Sequence, residues 1–182
     1  MLGQHFYNEA IKKTVVGFGT LFNNIEIRKV DPDTGTVLEV EKVPIAYGPK
    51  QKFLTRLEQN VDTTNKRRVA IVLPRLYFEL TNVSYDTSRK TSPVQKYRSI
   101  VDDNGNEVRV QYVPVPYNLD FDLGIIAKNQ DDGLQILEQI LPFFTPDWTT
   151  TVALIPEVNV TMDIPVILNK ISLSDNYDAA FK

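Results

Sequence analysis

The chain has 182 residues, 42% of them hydrophobic and 10% aromatic, which is enough for a packed core and excludes global disorder. A formal charge of −3 gives no reason to expect nucleic acid bound over the whole surface, and the absence of cysteine excludes disulfides and thiolate metal sites while suiting a reducing cytoplasm. No apolar run approaches the roughly 18 residues that span a bilayer, and the first residues lack the basic-then-apolar pattern of a signal peptide, so a soluble intracellular protein without membrane contact is expected.

Residues 6–22 read as a helix, with Ile11, Val15, Phe18 and Phe22 at helical spacing and Gly17 and Gly19 weakening its end. Ile25 and Ile27 then alternate with Glu26 and Arg28, as in a half-buried strand. The run Asp31-Pro32-Asp33-Thr34-Gly35 places proline and glycine where a tight reversal needs them, and residues 37–47 read as the returning strand. Pro49 suits the first position of a helix, where Phe53, Leu54 and Leu57 form a short apolar stripe before a polar loop over 60–66. Residues 69–73 and 76–80 read as one long strand interrupted by Pro74. Apolar parity shifts from Leu76, Phe78 and Leu80 to Val83 and Tyr85, which predicts a bulge or a bend.

Asn104-Gly105 is the clearest local signal, because both residues accept the positive φ of a type I′ hairpin turn. Pairing Asp103 with Asn106 sets Val101 opposite Val108, Ser99 opposite Val110 and Tyr97 opposite Tyr112, with Arg98, Arg109 and Gln111 on the other face. The resulting hairpin, over 95–113, is expected to be an arm reaching beyond the core, with an ordinary sheet edge as the alternative. Pro114 and Pro116 stiffen its exit. Residues 117–125 alternate strictly, Tyr117, Leu119, Phe121, Leu123 and Ile125 against Asn118, Asp120, Asp122 and Gly124. Asp120 and Asp122 could in principle hold a cation, but with no third ligand type nearby they read as a solvated face.

Asp132 with Gln135 predicts a capping box, followed by the apolar helical face of Leu134, Ile136, Leu137, Ile140 and Leu141, which Pro142 stops. Phe143, Phe144, Pro146 and Trp148 form an aromatic knot suited to a core or an interface rather than a cofactor. Extended segments follow at 149–155, 157–162 and 164–173. The fold class is therefore α+β, mostly antiparallel sheet flanked by two or three helices, as a single domain over 1–182 without repeats.

No catalytic set emerges. The only histidine, His5, lies at the start, so a serine nucleophile has no base, and no spacing singles out a carboxylate pair. No enzyme activity, cofactor or metal is expected, and a carboxylate-only enzyme is the remote alternative. Charge is instead polarised. Lys50, Lys52, Arg56, Lys66, Arg67 and Arg68 face only Glu58 and Asp62 over 50–68, whereas 131–169 carries Asp131, Asp132, Glu138, Asp147, Glu157 and Asp163 with no lysine or arginine. These segments read either as two solvated faces or as a basic side that meets the acidic side of a neighbour in a head-to-tail ring. The candidate interface residues are Lys50, Lys52, Arg56, Arg67, Arg68, Arg89, Lys90, Arg98, Asn104, Gly105, Arg109, Asp131, Asp132, Asp147 and Trp148.

Several runs, in order along the chain, resemble one family. They are Phe6-Tyr7-Asn8, Ile25-Glu26-Ile27 with Val43-Pro44-Ile45-Ala46-Tyr47, Leu73-Pro74-Arg75 with Val83-Ser84-Tyr85, and the run from Glu138-Gln139-Ile140-Leu141-Pro142 to Phe143-Phe144-Thr145-Pro146. Together they are similar to the tail sheath stabiliser and completion proteins of T-even-type contractile-tailed phages. The resemblance implies a virion protein, assembled in the host cytoplasm, that forms a hexameric ring at the head-proximal end of the tail. It implies binding to the tube terminator, the last sheath ring and the neck or head completion proteins, with the sheath held extended. DNA would pass through the ring without sequence-specific binding. The tube terminator itself, or another tail or neck ring, is the alternative. Family members continue through a polar loop into a further strand and tail, which a chain ending at Lys182 is expected to lack. The 164–173 strand is then expected at a sheet edge or paired with a neighbour, with little support after Asn176.

Overall fold

The computed structural model describes residues 5, 7, 9–58, 71–92, 94–100, 108–155 and 160–174. Helix α1 (Ala10–Leu21) begins four residues later than its apolar spacing suggests. Glu9 sits in the left-handed region at φ 56, from which the helix cannot continue backwards, while its carbonyl accepts the Lys13 N–H at 2.8 Å. Phe6 and Asn8 lie outside the described residues.

Strands β1 (Glu26–Val30) and β2 (Val37–Lys42) form the expected hairpin. Gly35 takes φ 66 in the turn and donates its N–H to the Asp31 carbonyl, and Asp31 Oδ2 accepts the Thr34 hydroxyl at 2.8 Å. The single returning strand expected over 37–47 is instead two. At Val43-Pro44 the chain leaves β2, Val43 is buried, and β3 (Ile45–Tyr47) enters a different sheet. Proline has no N–H with which to continue the β1 ladder, whereas its carbonyl is free to accept the Leu76 N–H at 2.9 Å.

That second sheet has the order β3-β4-β7 and lies at the centre of the molecule, with β4 (Arg75–Tyr85) antiparallel to β7 (Tyr117–Ile126) and parallel to β3. A parallel neighbour requires a crossover, and helix α2 (Lys50–Glu58) lies within it, starting just after Pro49 rather than on it. The strand expected before Pro74 does not form: residues 71–74 are irregular, and β4 starts only at Arg75, past the residue that could not donate. Val69 and Ala70 lie outside the described residues. The predicted bulge is present, as the β4–β7 register shifts between Leu80 and Asn82. There Thr81 donates its hydroxyl to the Asp120 carbonyl at 3.1 Å, and Asn82 Nδ2 donates to Asp120 Oδ2 at 3.0 Å.

The inner face of this sheet carries Leu76, Phe78 and Leu80 opposite Ile125, Leu123 and Phe121. Phe18 of α1 stacks on Phe121 with centroids 4.3 Å apart and also touches Phe78 and Phe22. Helix α3 (Gln130–Ile140) completes the core with Ile136 and Ile140 and runs into a 3-10 turn, Leu141–Phe143, at Pro142. The capping box is not formed, because the helix begins at Gln130 and leaves Asp131 and Asp132 inside its first turn, where its dipole favours acids. Gln135 is engaged elsewhere: its Oε1 accepts the Arg28 N–H at 2.6 Å and its Nε2 donates to the Arg28 carbonyl at 3.2 Å. One turn on, Gln139 Oε1 accepts the Glu26 N–H at 3.5 Å and Nε2 donates to the Glu26 carbonyl at 2.8 Å. Two glutamine amides thus pair with the edge of β1 as another strand would.

Strands β8 (Asp147–Ile155) and β9 (Val160–Ile167) form a two-stranded antiparallel sheet against α1. The three extended segments expected after Trp148 are therefore two strands. The second ends at Ile167, and residues 168–174 are irregular, so Leu168 does not extend the strand face. Strand β9 is an edge of this sheet; residues 156–159 and 175–182 lie outside the described residues. The α+β class holds, with three α-helices and mostly antiparallel sheets among the described residues.

Strands β5 (Lys96–Ile100) and β6 (Val108–Tyr112) make the expected hairpin and pair only with each other among the described residues. Its register differs by one from the one an Asn104-Gly105 two-residue turn dictates. Ile100 stands opposite Val108, Arg98 opposite Val110 and Lys96 opposite Tyr112. The Asn104-Gly105 turn itself lies within 101–107, outside the described residues. The register is held at the base, where the Val113 N–H donates to the Gln95 carbonyl at 3.2 Å and Lys96 Nζ lies 4.7 Å from the Tyr112 ring centre. The slip exchanges faces. Arg98 now shares a face with Val110 and Tyr112, and Arg109 stands opposite Ser99 in the ladder.

Candidate functional site

Helix α2 carries the described part of the basic segment. Phe53 is its buried residue, its ring 5.7 Å from that of Tyr77 and 5.9 Å from the Arg75 guanidinium carbon. Burial pushes the Tyr77 hydroxyl up, and the carboxylates of Asp122 and Glu79 on the same sheet face add to that. With the apolar side of α2 turned to the sheet, Lys50, Lys52 and Arg56 are all exposed. Arg67 and Arg68 lie outside the described residues.

Arg89 is engaged by groups of its own chain. Its Nε donates to Asp86 Oδ2 at 2.6 Å and its Nη2 to Asn118 Oδ1 at 2.7 Å. Asp86 also accepts from the Ser88 N–H and hydroxyl at 2.8 and 2.6 Å, and these bonds, with the Ser88 hydroxyl first and Arg89 next, hold its carboxyl far below the usual range. The Asp86 N–H donates to the Pro116 carbonyl at 3.1 Å. These bonds brace the root of the β5–β6 arm against β7. Lys90 beside it is exposed, as is Arg98 on the arm, while Asn104 and Gly105 at the tip lie outside the described residues.

The acidic candidates gather in two places. Asp131, exposed, and Asp132, half-buried, open α3 beside Arg28 and Lys29 in a cleft open to solvent. Lys29 Nζ sits 3.1 Å from Glu39 and 3.8 Å from Glu41, and the Glu39 bond leads the influences that raise its pKa, with Glu41 and Asp132 contributing. Asp147 is exposed at the start of β8, next to Trp148. Trp148 joins the aromatic knot to the core. Phe143 stacks on it at 4.7 Å, and Phe22 and Phe144 meet it edge-on at 5.8 and 6.0 Å. Phe143, 55% exposed, is the outward part of that knot. Among the described residues no ion pair joins Lys50, Lys52 or Arg56 to Asp131, Asp132 or Asp147.

Among the described residues no three carboxylate or imidazole groups converge as metal ligands would, and the carboxylate of Asp120 is occupied by Asn82. No described helix is long and apolar enough to cross a membrane. What the surface offers is a basic helix, two acidic positions, and one feature that the charge pattern did not reveal. Val37, Leu38 and Val40 of β2 are 52%, 69% and 52% exposed, on a strand with no partner on its outer edge among the described residues. The alternation of this strand was readable, but its separation from β3 was not, because that depends on where Pro44 sends the chain.

Comparison with known proteins matches the sequence to a phage tail family. A family described as T4-like virus Myoviridae tail sheath stabiliser matches residues 5–182. The chain is 28% identical over 179 residues to the Tail completion protein gp15 of Enterobacteria phage T4, over 96% of this chain and 64% of that protein. The chain thus spans less than two-thirds of that relative's length. The resemblance read from the ordered short runs is borne out over nearly the whole sequence, and the chain belongs to the tail sheath stabiliser family of T4-like phages, structural components of the virion tail.

Proposed function

We propose that this protein forms a hexameric ring at the head-proximal end of a contractile tail, where it binds the last sheath ring and the tube terminator and holds the sheath extended. In this reading the ring also presents the surface to which the neck joins, and DNA passes through its lumen without sequence-specific contact. The observation that carries the reading is the family match over 5–182. The surface supports it: a basic α2 and acidic positions on α3 and β8, without ion pairs between them among the described residues, suit a heterologous interface, in which one copy's basic side meets the next copy's acidic side. Chemistry at a single site is not needed for such a role; extended complementary surface is. The test is location. Tails assembled with a labelled copy should carry the label as one ring under the neck. Label at the baseplate end, along the sheath, or in the tube terminator's place would overturn the assignment.

A further inference from the structure

We propose that the open edge of β2 receives strand β6 from the arm of a neighbouring copy, which rests on the ring reading and names its joint. Among the described residues the hairpin β1–β2 is protected on one side only. Gln135 and Gln139 occupy the main-chain groups of Arg28 and Glu26 on β1, while β2 presents its own groups together with the exposed Leu38 and Val40. An edge that is long, apolar and unpaired takes up another strand. The arm supplies one, since β5 and β6 pair only with each other among the described residues and Val110 and Tyr112 of β6 are 54% and 63% exposed.

The alternation selects β6 over β5. Strand β2 has Leu38 and Val40 on one face and Glu39 and Glu41 on the other, two carboxylates sharing the single ammonium of Lys29. Strand β6 has Val108, Val110 and Tyr112 in one apolar row with Arg109 at the other parity, whereas β5 has no such row, since Lys96 and Arg98 share one parity with Ile100 and Tyr97 shares the other with Ser99. Antiparallel addition sets Leu38 against Tyr112, Val40 against Val110 and Glu41 against Arg109, so apolar meets apolar and the surplus carboxylate meets a cation. Donor and acceptor strands lie on the same chain, as a closed head-to-tail ring requires.

The chain has no cysteine, so introduced thiols report without background. The double variant V40C/V110C changes two side chains that are each more than half exposed. Oxidised where light scattering finds oligomers, it should give a ladder of covalent multimers that V40C/R109C, one residue off and on the wrong face, does not. In the same assay R109E should weaken assembly, and adding E41K should restore it. Oligomers that cross-link no better through V40C/V110C than through V40C/R109C would overturn this joint and leave the ring standing. A chain that stays monomeric at every concentration would overturn self-association and the joint with it, whereas the family's place on the tail is read separately by the labelling experiment.

Discussion

At Gly19 a Cβ would stand 2.7 Å from Cζ of Phe78, so the glycine that weakens α1 on propensity is what lets the helix settle on β4. In an open helix, alanine for glycine gains about 0.5–1 kcal/mol. Here Gly19→Ala should instead destabilise by about 1–3 kcal/mol, the usual range for overpacking, as read from the urea midpoint. The opposite sign would mean that Phe78 moves aside at little cost. Asp86 gives a pH signature. Its folded pKa lies below the ordinary 3.8, so its contribution is complete above that value and fades as the pH falls through it toward the folded pKa. The stability difference between the wild type and Asp86→Asn should therefore be largest near neutrality and shrink below about pH 4. A difference that is constant with pH would show that the carboxylate's charge is not what holds Ser88 and Arg89.

Among the elements, the pairing of α3 with β1 is the feature the sequence hid. Gln135 and Gln139 are one helical turn apart, so a pair of amides on one face was visible, but a glutamine is equally at home in water, and only tertiary position makes it an edge cap. Gln135→Ala should cost about 1 kcal/mol, the net worth of a hydrogen bond to accessible backbone, and the double change with Gln139 roughly twice that. Faster amide exchange at Arg28 should accompany it, and unchanged exchange there would contradict the clasp. The legible parts were local. The Asp31–Gly35 turn, the alternation of β7 and the bulge in β4 are each decided by neighbours in sequence. What misled were cases where contacts beyond the local pattern decide: Pro44 redirecting a strand to the central sheet, and the register of the arm, which follows the bond between Val113 and Gln95 at its base. Of the candidate interface residues, Arg89 has an intrachain partner that was hidden for the same reason, since nothing local places Asn118 beside it. The arm itself is braced at its root and pairs with no other strand among the described residues. Replacing residues 98–111 with a short glycine linker should therefore leave a folded domain that no longer completes tails. Loss of cooperative unfolding in that variant would place the hairpin in the core.

For the whole molecule, an exposed basic helix and, among the described residues, an apolar edge without a partner and a hairpin paired with no other strand suit the proposed meeting with other chains, and the family the chain belongs to is described as a tail sheath stabiliser. The ionic part of that meeting should depend on salt, since exposed charges are screened within about 10 Å at 0.1 M. Lys52→Glu with Arg56→Glu should weaken assembly most at low ionic strength, as followed by light scattering. Assembly unaffected by that reversal at every salt concentration would remove charge from the interface. The most direct measurement is sheath length. Tails lacking this component, imaged by electron microscopy with and without the purified protein added back, should keep their sheaths extended and gain a sixfold ring at the head-proximal end only when it is present. Sheaths that shorten to the same extent in both samples, or added protein that binds elsewhere on the tail, would contradict the account.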